Sequence, residues 1–497
     1  MKPTLEQRQV IESEGNVKVN AAAGTGKTST LAMMSAQRRE PTLFLVFNKQ
    51  NKEDAGQKFA SMGLDHVKVA TNHSMAYQWY KEKFKIKGRI SLNMKGFSLI
   101  DLIKEFDLNR YKDSQSSHFK IAFHIKTCLE YYCNSSAYRI SDVKYEDFLR
   151  GNARTFFLKH QQFIYDGVAR LMSGMKTGDK EPTYDYLLKV YQLSKPRLPY
   201  KNVLLDEGQD SSDVMLDVFL NQDQARKVIV GDEHQSIYSW RYAVNALSKV
   251  SYPTLLLSGS FRFGERIAEQ ALSFLSWKRA LLGYQAPITL SGLRPLGSNP
   301  DNPSEMIICR TNSGLFNELV KVLDSDADAK FYIEGNNGDL FSYMRSDNGI
   351  SIMDLVSIHR GQYKKVKHPA LKAMLSMEEV KDYGESTGDM GLLTMIKLVN
   401  DYGHEILDFI DIANTQLITS DQKHRADVVL STVHKSKGLE YDYVHIGEDF
   451  LSFPELMREV NKRDSKINVN EEINLLYVGV TRSKGFVSIP KQLMTEL

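Results

Sequence analysis

The chain has 497 residues, enough for roughly two to four domains, and 42% hydrophobic with 25% charged residues is an ordinary globular composition. The net charge of +3 gives no overall sign of a nucleic-acid partner, so local motifs must carry that argument. Three cysteines are too few for a disulfide framework, and Cys128 and Cys133 lack a second pair of zinc ligands. Without an apolar leader segment or a run of about 18 apolar residues, we expect a cytoplasmic protein with no membrane partner.

The first eighty residues predict alternating helices and strands. Residues 4–14 carry apolar side chains at helical spacing, and residues 16–20 alternate like a short strand. Residues 42–47 form a continuous apolar run typical of a buried parallel strand, followed by a helix that opens near Lys52. A further strand covers residues 67–70. This β-α-β-α-β order predicts an open parallel sheet.

The rest of the chain predicts a second α/β unit and two insertions. Residues 85–180 are polar and aromatic and predict a helical insertion, after which strands at 202–205 and 227–231 resume the first sheet. We assign the apolar runs at 254–257, 306–309, 428–431 and 443–446 to the second unit, which residues 315–425 interrupt. A last strand is expected at 486–489. The predicted fold is therefore two α/β cores, each split by an insert.

A small-residue loop ending in Gly26-Lys27-Thr28 lies between the first strand and the next helix. This is the context of a phosphate-binding loop, in which backbone N–H groups and the helix N-terminus bind phosphate oxygens. Lys27 would reach the β- and γ-phosphates, and the Thr28 hydroxyl would bind Mg²⁺. The full pattern has glycine five residues before Gly26, where this chain has Ala21. The alternative is a chance glycine-rich turn, which the flanking strand and helix make less attractive.

Two acids, Asp206 and Glu207, follow the apolar strand at 202–205. Asp206 could hold Mg²⁺, and Glu207 could orient and deprotonate an attacking water. Acids at a strand end also serve as helix caps, so the pair alone is weak evidence. Downstream of a phosphate loop, the pair indicates nucleotide hydrolysis.

The loop 231–241 follows the next strand and should face the same edge of the sheet. Gln235 could contact the γ-phosphate, while Trp240 and Arg241 offer a stacking face and a cation. A tryptophan is more often a core residue than a ligand, so the core remains the competing interpretation of Trp240.

Taken together, the order and the residues of these segments resemble the superfamily 1A DNA helicases of the UvrD, Rep and PcrA type. The resemblance is closest to the F-box DNA helicase branch, although no segment is identified as an F-box. The resemblance runs from residue 4 to residue 484 and leaves the two insertions unmatched. It implies two RecA-like motor domains in tandem, each with a mainly helical insertion. Their expected bounds are 1–84 with 181–257 for the first, 85–180 for its insertion, 258–314 with 426–497 for the second, and 315–425 for a reduced second insertion.

The resemblance implies a role for each residue of an ATP site between the two motor domains. Gln7 would contact adenine, Phe261 would stack on it and Glu440 would bind the ribose. Arg262 would touch the γ-phosphate, and Arg482 would be the arginine finger. The phosphate loop would contribute Ala22, Ala23, Gly24, Thr25, Gly26, Lys27, Thr28 and Ser29, with Asp206, Glu207 and Gln235 completing the site.

Other segments resemble the family's motifs for single-stranded DNA. These motifs imply DNA contacts from both motor domains, which would let the closing and opening of the ATP site move the strand. The residues concerned are Phe47, Asn48, Thr71, His73, Tyr184, Trp240, Arg241 and His434.

The expected activity is that of an ATP- and Mg²⁺-dependent 3′-to-5′ single-stranded DNA translocase and helicase that acts on single-stranded and tailed duplex DNA. Repair, recombination and replication stay open as pathways, and the compartment would be the cytoplasm, a nucleoid or a nucleus according to the source. The strand-separating hairpin of larger members is not expected after Arg482. We therefore retain a translocase that strips proteins from DNA with little unwinding. A phosphate-loop kinase or switch accounts for Lys27 and Asp206 but not for the segments at Trp240 and His434.

Overall fold

The structure is a computed structural model, and it describes residues 2–94, 96–110, 117–295, 303–335, 349–403, 405–462, 465 and 467–494. The chain opens with alternating helices and strands, as predicted. In order these are α1 (Leu5–Glu12), β1 (Val17–Ala21), α2 (Lys27–Gln37), β2 (Thr42–Val46), α3 (Lys49–Ser61), β3 (Val67–Thr71) and α4 (Asn72–Lys83). Helix α3 begins three residues before the predicted Lys52, because the Asn48 side chain accepts a hydrogen bond from the Asn51 N–H and caps the helix there.

The first insertion is helical, as predicted, in its described residues. Its helices are α5 (Leu99–Glu105), α6 (Ser117–Asn134) and α7 (Gly151–Thr177). Buried apolar residues recur along α6 and α7, and the two helices pack against each other. Two short 3₁₀ turns, at 140–142 and 145–147, connect them.

The chain then returns to the first sheet. The elements are α8 (Tyr184–Leu193), β4 (Asn202–Leu205), α9 (Asp213–Leu220), β5 (Arg226–Gly231), α10 (Ala246–Lys249) and β6 (Thr254–Leu257). The sheet is parallel throughout in the order β3-β2-β4-β5-β1-β6. Assigning the apolar run 254–257 to the second unit was wrong, because β6 pairs with β1 from Lys18↔Thr254 to Ala21↔Leu257. The bound at 257 that the resemblance implies keeps this strand in the first unit.

The second unit has its own parallel sheet. The unit begins with β7 (Gly259–Ser260), α11 (Glu265–Leu282), β8 (Ser291–Gly292), β9 (Glu305–Cys309), α12 (Asn312–Ser325) and β10 (Phe331–Ile333). Strand β10 was not predicted. It is only three residues long, and a parallel pairing with residues 428–430 holds it in place. The expected start of the insertion at residue 315 is therefore corrected. Strand β10 is part of the second sheet, and helix α12 packs on that sheet.

The second insertion follows β10 and is helical in its described residues. It contains α13 (Ile352–His359), α14 (Pro369–Lys372), α15 (Met377–Thr387), α16 (Met390–Tyr402) and α17 (Glu405–Gln416). Helix α15 packs against α6 and α7, so the two insertions touch. The contact includes Lys120 Nζ with Asp382 Oδ2 at 2.6 Å and the Asn152 amide with Glu385 Oε2 at 3.0 Å.

The chain ends by completing the second sheet with β11 (Val428–Thr432), α18 (Val433–Ser436), β12 (Tyr441–Ile446), α19 (Phe453–Asn461), α20 (Val469–Val480) and β13 (Ser483–Ser488). The sheet order is β10-β11-β9-β12-β13. The last strand begins three residues before the predicted 486. From Ser488 to Met494 the structure has one 3₁₀ turn, and the rest of the tail, 495–497, lies outside the described residues. The predicted class of two parallel-sheet α/β units, each with a helical insertion, is confirmed.

A helix that spans a bilayer needs about 20 predominantly apolar residues. Among the described residues, none of the helices combines the length and the apolar character needed to span a membrane.

Candidate nucleotide site and nucleic-acid cleft

The loop between β1 and α2 approaches the second unit very closely. Gly24 and Gly26 have φ angles of 75° and 78°, which glycine adopts without strain. A Cβ atom on Gly24 would lie 2.5 Å from Ser260 Oγ and 2.6 Å from Arg262 Cβ. Ala21 ends strand β1 and is fully buried, and it is not among the residues with positive φ. An alanine therefore suits the position where the full pattern has glycine.

The predicted catalytic side chains of the first unit lie together at the carboxyl ends of β1 and β4. Lys27 Nζ is 3.1 Å from Glu207 Oε2, and the Thr28 hydroxyl donates to Asp206 Oδ2 at 3.1 Å. Burial alone would lower the pKa of Lys27, but the surrounding carboxylates Glu207, Asp232 and Asp206 raise it. The lysine is therefore charged at neutral pH.

The two acids of this site differ in their electrostatic surroundings. Burial and the neighbouring Glu207 raise the pKa of Asp206. Burial also acts to raise the pKa of Glu207, but Lys27 and Lys437 outweigh it and lower that pKa. The backbone of Glu207 is left-handed, with a φ of 51°. A non-glycine residue in this conformation is uncommon and is often found at functional sites.

The residues present fit the binding of Mg²⁺. The Thr28 hydroxyl and the Asp206 carboxylate are hard oxygen ligands at hydrogen-bond distance from each other. Asp206 is buried, and its raised pKa reflects a carboxylate short of positive charge. Thr28 and Asp206 would hold the ion, and their role as metal ligands stays a prediction.

A buried hydrogen-bond network centred on Asp232 joins the two units behind the phosphate loop. The Gln235 amide donates to Asp232 Oδ2 at 2.8 Å, and the Tyr477 hydroxyl donates to the same oxygen at 2.8 Å. The Tyr477 oxygen also accepts a hydrogen bond from the Ala23 N–H at 3.1 Å. Sequence reasoning assigned no role to Asp232 or Tyr477. The apolar strand before Asp232 was a signal for the acid, but nothing local marks the tyrosine.

The predicted arginines come from the second unit. Arg262 Nε is 2.7 Å from Glu440 Oε1, and its guanidinium also donates to the Thr481 carbonyl at 2.9 Å. Arg482 is 1% exposed and donates to the Val478 carbonyl at 2.9 Å. Burial, with the nearby Arg262, lowers the pKa of Arg482 to about 9. Glu440, which we expected at a ribose, is here the counter-ion of Arg262.

The residues predicted for adenine lie beside Gly24, Thr25 and Gly26 of the phosphate loop. The Gln7 amide donates to the Thr25 carbonyl at 3.3 Å, and the Phe261 N–H donates to the Gly24 carbonyl at 2.9 Å. Both side chains approach Gly26, since a Cβ atom there would lie 3.3 Å from Gln7 Nε2 and 3.8 Å from Phe261 Cε2. The remaining predicted loop residues hold the turn: the Ala22 N–H donates to Leu257, and the Ser29 hydroxyl accepts from Lys58.

A cleft of about 1140 Å³ lies between the two units and their insertions. Five of the predicted DNA residues line it: Phe47, His73, Trp240, Arg241 and His434. Trp240 is 43% exposed, which excludes the core interpretation, and the Arg241 guanidinium lies 4.5 Å from its ring centroid. The cleft therefore presents aromatic faces and cations to its interior, which suits an unpaired nucleic-acid strand.

The other three predicted DNA residues lie at helix starts. Asn48 and Thr71 cap α3 and α4 with their side-chain oxygens. Tyr184 begins α8, contacts His73 edge-on at 6.4 Å, and lines a neighbouring pocket of about 220 Å³. His73 Nε2 is itself 3.2 Å from Asp185 Oδ1.

Between the nucleotide site and the cleft lies a contact layer built on Tyr238 and Lys437. Tyr238 stacks on Phe47 at 6.0 Å and donates to the His434 carbonyl, while His434 Nε2 is 3.0 Å from the Ile237 carbonyl. Lys437 binds both carboxylate oxygens of Asp210, at 2.8 and 2.6 Å, and lies 4.9 Å from the Tyr238 ring centroid. Sequence reasoning gave Tyr238 and Lys437 no separate role, although both lie inside the motifs that it quoted.

Comparison with known proteins agrees with this geometry. The model of the UvrD/REP helicase N-terminal domain matches residues 4–249, and that of the UvrD-like helicase C-terminal domain matches residues 351–490. F-box DNA helicase protein 1 of Schizosaccharomyces pombe is 29% identical over 97% of this chain and 56% of its own length. F-box DNA helicase 1 of Gallus gallus is 28% identical over 97% of this chain and 48% of its own length.

A bacterial relative, ATP-dependent DNA helicase PcrA of Bacillus subtilis, is 26% identical over 54% of this chain and 38% of its own length. The chain thus spans about half the length of the F-box DNA helicases that it matches. The two sheets are accordingly the tandem RecA-like domains of that architecture. On its motifs, its fold and both domain matches, the chain belongs to the UvrD-like helicase family.

Proposed function

We propose that this protein is an ATP-dependent DNA helicase that translocates along single-stranded DNA in the 3′-to-5′ direction. The observation that carries the proposal is the loop 232–241. At one end, Asp232 and Gln235 belong to the buried network behind the phosphate loop. At the other end, Trp240 and Arg241 line the cleft. One short loop thus contacts both sites. The three relatives described above are named as DNA helicases, which supports the same activity.

The chemistry follows from the charges of the site. Hydrolysis needs positive charge on the transferring phosphoryl group, and Lys27, Arg262 and Arg482 supply it from two sides. Glu207, kept ionised by Lys27, accepts a hydrogen bond from the attacking water and orients it. When bound, Mg²⁺ neutralises charge on the phosphate oxygens. Because the arginines lie in the second unit and Lys27 in the first, a bound triphosphate draws the units together.

Closure of the units would also act on the cleft. Tyr238 and His434 join the loop 232–241 to the second unit through reciprocal hydrogen bonds to the backbone. Lys437 adds a charged contact from the second unit to Asp210 in the first. A change in the distance between the units therefore changes the relative positions of Trp240 and His434, and repeated cycles would move the strand.

The test is the ATPase rate with and without a single-stranded oligonucleotide, followed by unwinding of duplexes with a 3′ or a 5′ tail. We expect DNA-stimulated hydrolysis and unwinding of the 3′-tailed duplex only. Unwinding from the 5′ tail would contradict the polarity. Stimulation without unwinding, together with release of streptavidin from a biotinylated strand, would favour the protein-stripping translocase. An ATPase indifferent to DNA would contradict both functions.

Lys27→Ala provides the matched control for these assays. The substitution removes the cation that faces the phosphates, so hydrolysis should be abolished. Binding of the oligonucleotide should persist, because DNA affinity comes from other residues and from backbone charge. Fluorescence polarisation with a labelled oligonucleotide measures binding on the same preparation. Near-normal turnover in this variant would refute the assignment of the phosphate loop.

A further inference from the structure

Tyr242 ends the 3₁₀ turn 239–241 in a left-handed backbone conformation, with φ 63° and ψ 15°. A bulky residue in this region is an outlier that persists only where its surroundings fix it. The strained position comes two residues after Trp240 and directly after Arg241, both of which line the cleft. The contacts of the Tyr242 side chain show what fixes this conformation.

The side chain of Tyr242 is fixed by the first insertion. Its ring lies 5.6 Å from the Tyr131 ring, nearly perpendicular to it, and 5.2 Å from the Phe148 ring. Burial raises the pKa of Tyr242 well above its ordinary value, so the hydroxyl stays protonated, and it donates to the Thr127 carbonyl at 3.4 Å. Tyr131 and Phe148 also contact each other at 5.5 Å. The tyrosine is therefore held by an aromatic cluster that belongs to another part of the fold.

Two further anchors hold the same turn. The Ser239 N–H donates to Glu471 Oε1 at 3.3 Å, which fixes the start of the turn to the second unit. The Val244 N–H donates to the Ser211 carbonyl at 2.7 Å, which fixes the end to the first unit. The turn is thus attached to both motor units and, through Tyr242, to the first insertion.

Trp240 depends on these anchors for its position. It is 43% exposed, and its ring contacts Tyr238 at 6.5 Å, His434 at 6.1 Å and the Arg241 cation. A ring with this exposure and mainly edge contacts is held only in part by the packing around it. Its orientation toward the cleft therefore also depends on the backbone of the turn.

We propose that Tyr242 is a positioning residue that fastens the Trp240 turn to the first insertion and so holds the Trp240 ring ready to stack on a nucleic-acid base. The inference rests on the proposed DNA function. The left-handed strain is retained because it turns the Tyr242 ring into the aromatic cluster while the Trp240 ring faces the cleft.

The experiment compares Tyr242→Gly, Tyr242→Phe and Tyr131→Leu by the oligonucleotide concentration that half-saturates ATPase stimulation and by the rate at saturation. Tyr242→Gly should raise the half-saturating concentration by about fivefold or more, because a disordered turn weakens a base stack. The rate at saturation should change much less. Tyr242→Phe keeps the ring and should restore wild-type behaviour, since only a long hydrogen bond is lost.

Tyr131→Leu separates positioning from direct contact. Tyr242 itself borders the cleft, whereas Tyr131 is not among the lining residues. Positioning predicts that Tyr131→Leu reproduces the defect in DNA dependence, and that the double variant with Tyr242→Gly is no worse than Tyr242→Gly alone. A wild-type half-saturating concentration in Tyr131→Leu would overturn the proposal in favour of a base stacked on Tyr242.

Strain relief is controlled with Lys85→Gly, at an exposed left-handed position with a φ of 51°. It should leave the DNA dependence unchanged, whatever it does to the melting temperature. If Tyr242→Gly loses saturated rate and melting temperature in parallel with no change in half-saturating concentration, Tyr242 is only structural. A wild-type protein without DNA stimulation would instead refute the proposed function, so the two failures are distinguishable.

Discussion

At the scale of single residues, the nucleotide site is a balance of buried charges. Lys27 faces three carboxylates in the first unit, and Arg262 is neutralised by Glu440 in the second. Arg482 has no such carboxylate within salt-bridge distance among the described residues. Its guanidinium instead donates to Val478 and Thr481. A buried cation without a close counter-ion is costly, which is why its pKa falls to about 9. The phosphate of a bound nucleotide would supply the missing negative charge.

Arg482→Ala should slow hydrolysis far more than it weakens ATP binding. The charge matters most in the transition state, where arginine fingers contribute roughly 10³-fold or more in rate. Arg482→Lys should not restore the rate, because the planar guanidinium offers a rigid fork of N–H donors that matches phosphate oxygens, whereas the ammonium group is a compact point charge on a flexible stem. Steady-state kinetics across ATP concentrations measures both effects. A variant with weaker ATP binding but wild-type turnover at saturation would contradict the finger role, and melting curves report any loss of packing.

At the scale of elements, the loop 232–241 and helix α20 connect the candidate nucleotide site with the cleft. Tyr477 on α20 bonds to the phosphate loop and to Asp232, and Asn474 on the same helix donates to the Ser236 carbonyl at 2.8 Å. Glu471, one turn earlier, holds Ser239. Residues on three successive turns of α20, in the second unit, thus contact the loop 232–241 of the first unit or the phosphate loop. A shift of α20 should move the loop, because the contacts are directional hydrogen bonds and those of Tyr477 are buried.

Trp240→Ala tests the cleft end of this loop. Stacking of a base on an aromatic ring is worth roughly 1–3 kcal/mol, so DNA-stimulated ATPase should fall and unwinding should fall most. ATPase without DNA should survive, because Trp240 makes no contact with the phosphate loop. Unwinding, DNA-free turnover and melting temperature are measured on one preparation.

The matched control is Trp277→Ala. Trp277 is 1% exposed and packs against Phe274 and Phe453, so its truncation should cost about 3–5 kcal/mol of stability and lower all activities together. If Trp240→Ala behaves like Trp277→Ala, the base-stacking hypothesis fails.

At the scale of the whole molecule, two interfaces between parts of the fold, called joints here, lie beside the cleft. One joins the motor units, and His434 Nε2 bonds there to the Ile237 carbonyl. The other joins the two insertions, and His124 Nε2 lies 2.9 Å from the Ser386 carbonyl there. Burial lowers the pKa of each histidine to about 4. Both joints therefore contain an imidazole that is neutral at physiological pH.

This arrangement predicts that acid weakens both joints. An unfolded histidine has a pKa of about 6.5, so below that pH the unfolded state binds the proton first, and stability falls as the pH drops toward 4. Each histidine should lower the free energy of unfolding by on the order of 3 kcal/mol between pH 6.5 and pH 4, at about 1.4 kcal/mol per pKa unit. His124→Gln and His434→Gln should each be destabilised at pH 7 and lose less than the wild type on acidification. Urea denaturation at pH 7 and pH 5 measures this.

His424→Gln, at an exposed position, is the control for removing a histidine, and its loss of stability with pH should follow the wild type. A loss of stability between pH 7 and pH 5 that is equally steep in both joint variants and in the wild type would show that other groups govern acid unfolding. Asp206 and Asp210 have pKa values raised by burial and act in the opposite direction, which is why the comparison uses differences between variants.

The amino-acid sequence by itself determined most of the strands and the positions of the motifs. A buried parallel strand such as β2 is a continuous apolar run, and a phosphate loop needs glycines at fixed offsets before Lys27, so both are visible locally. The roles of Lys27, Thr28, Asp206 and Trp240 are predictions of the same kind. Their residue types and neighbours indicate them without knowledge of the fold.

Only the tertiary structure decided which distant segments meet. Strand β6 was assigned to the wrong sheet because its place depends on pairing with β1, more than 230 residues earlier. Strand β10 was missed because three residues carry no periodicity. Tyr477 bonds to Ala23, and Lys437 to Asp210, across hundreds of residues, while Tyr242 is ordered by an insertion of its own domain. Such contacts leave no local pattern, because a side chain's partner is set by the packing of the whole chain rather than by its neighbours in sequence.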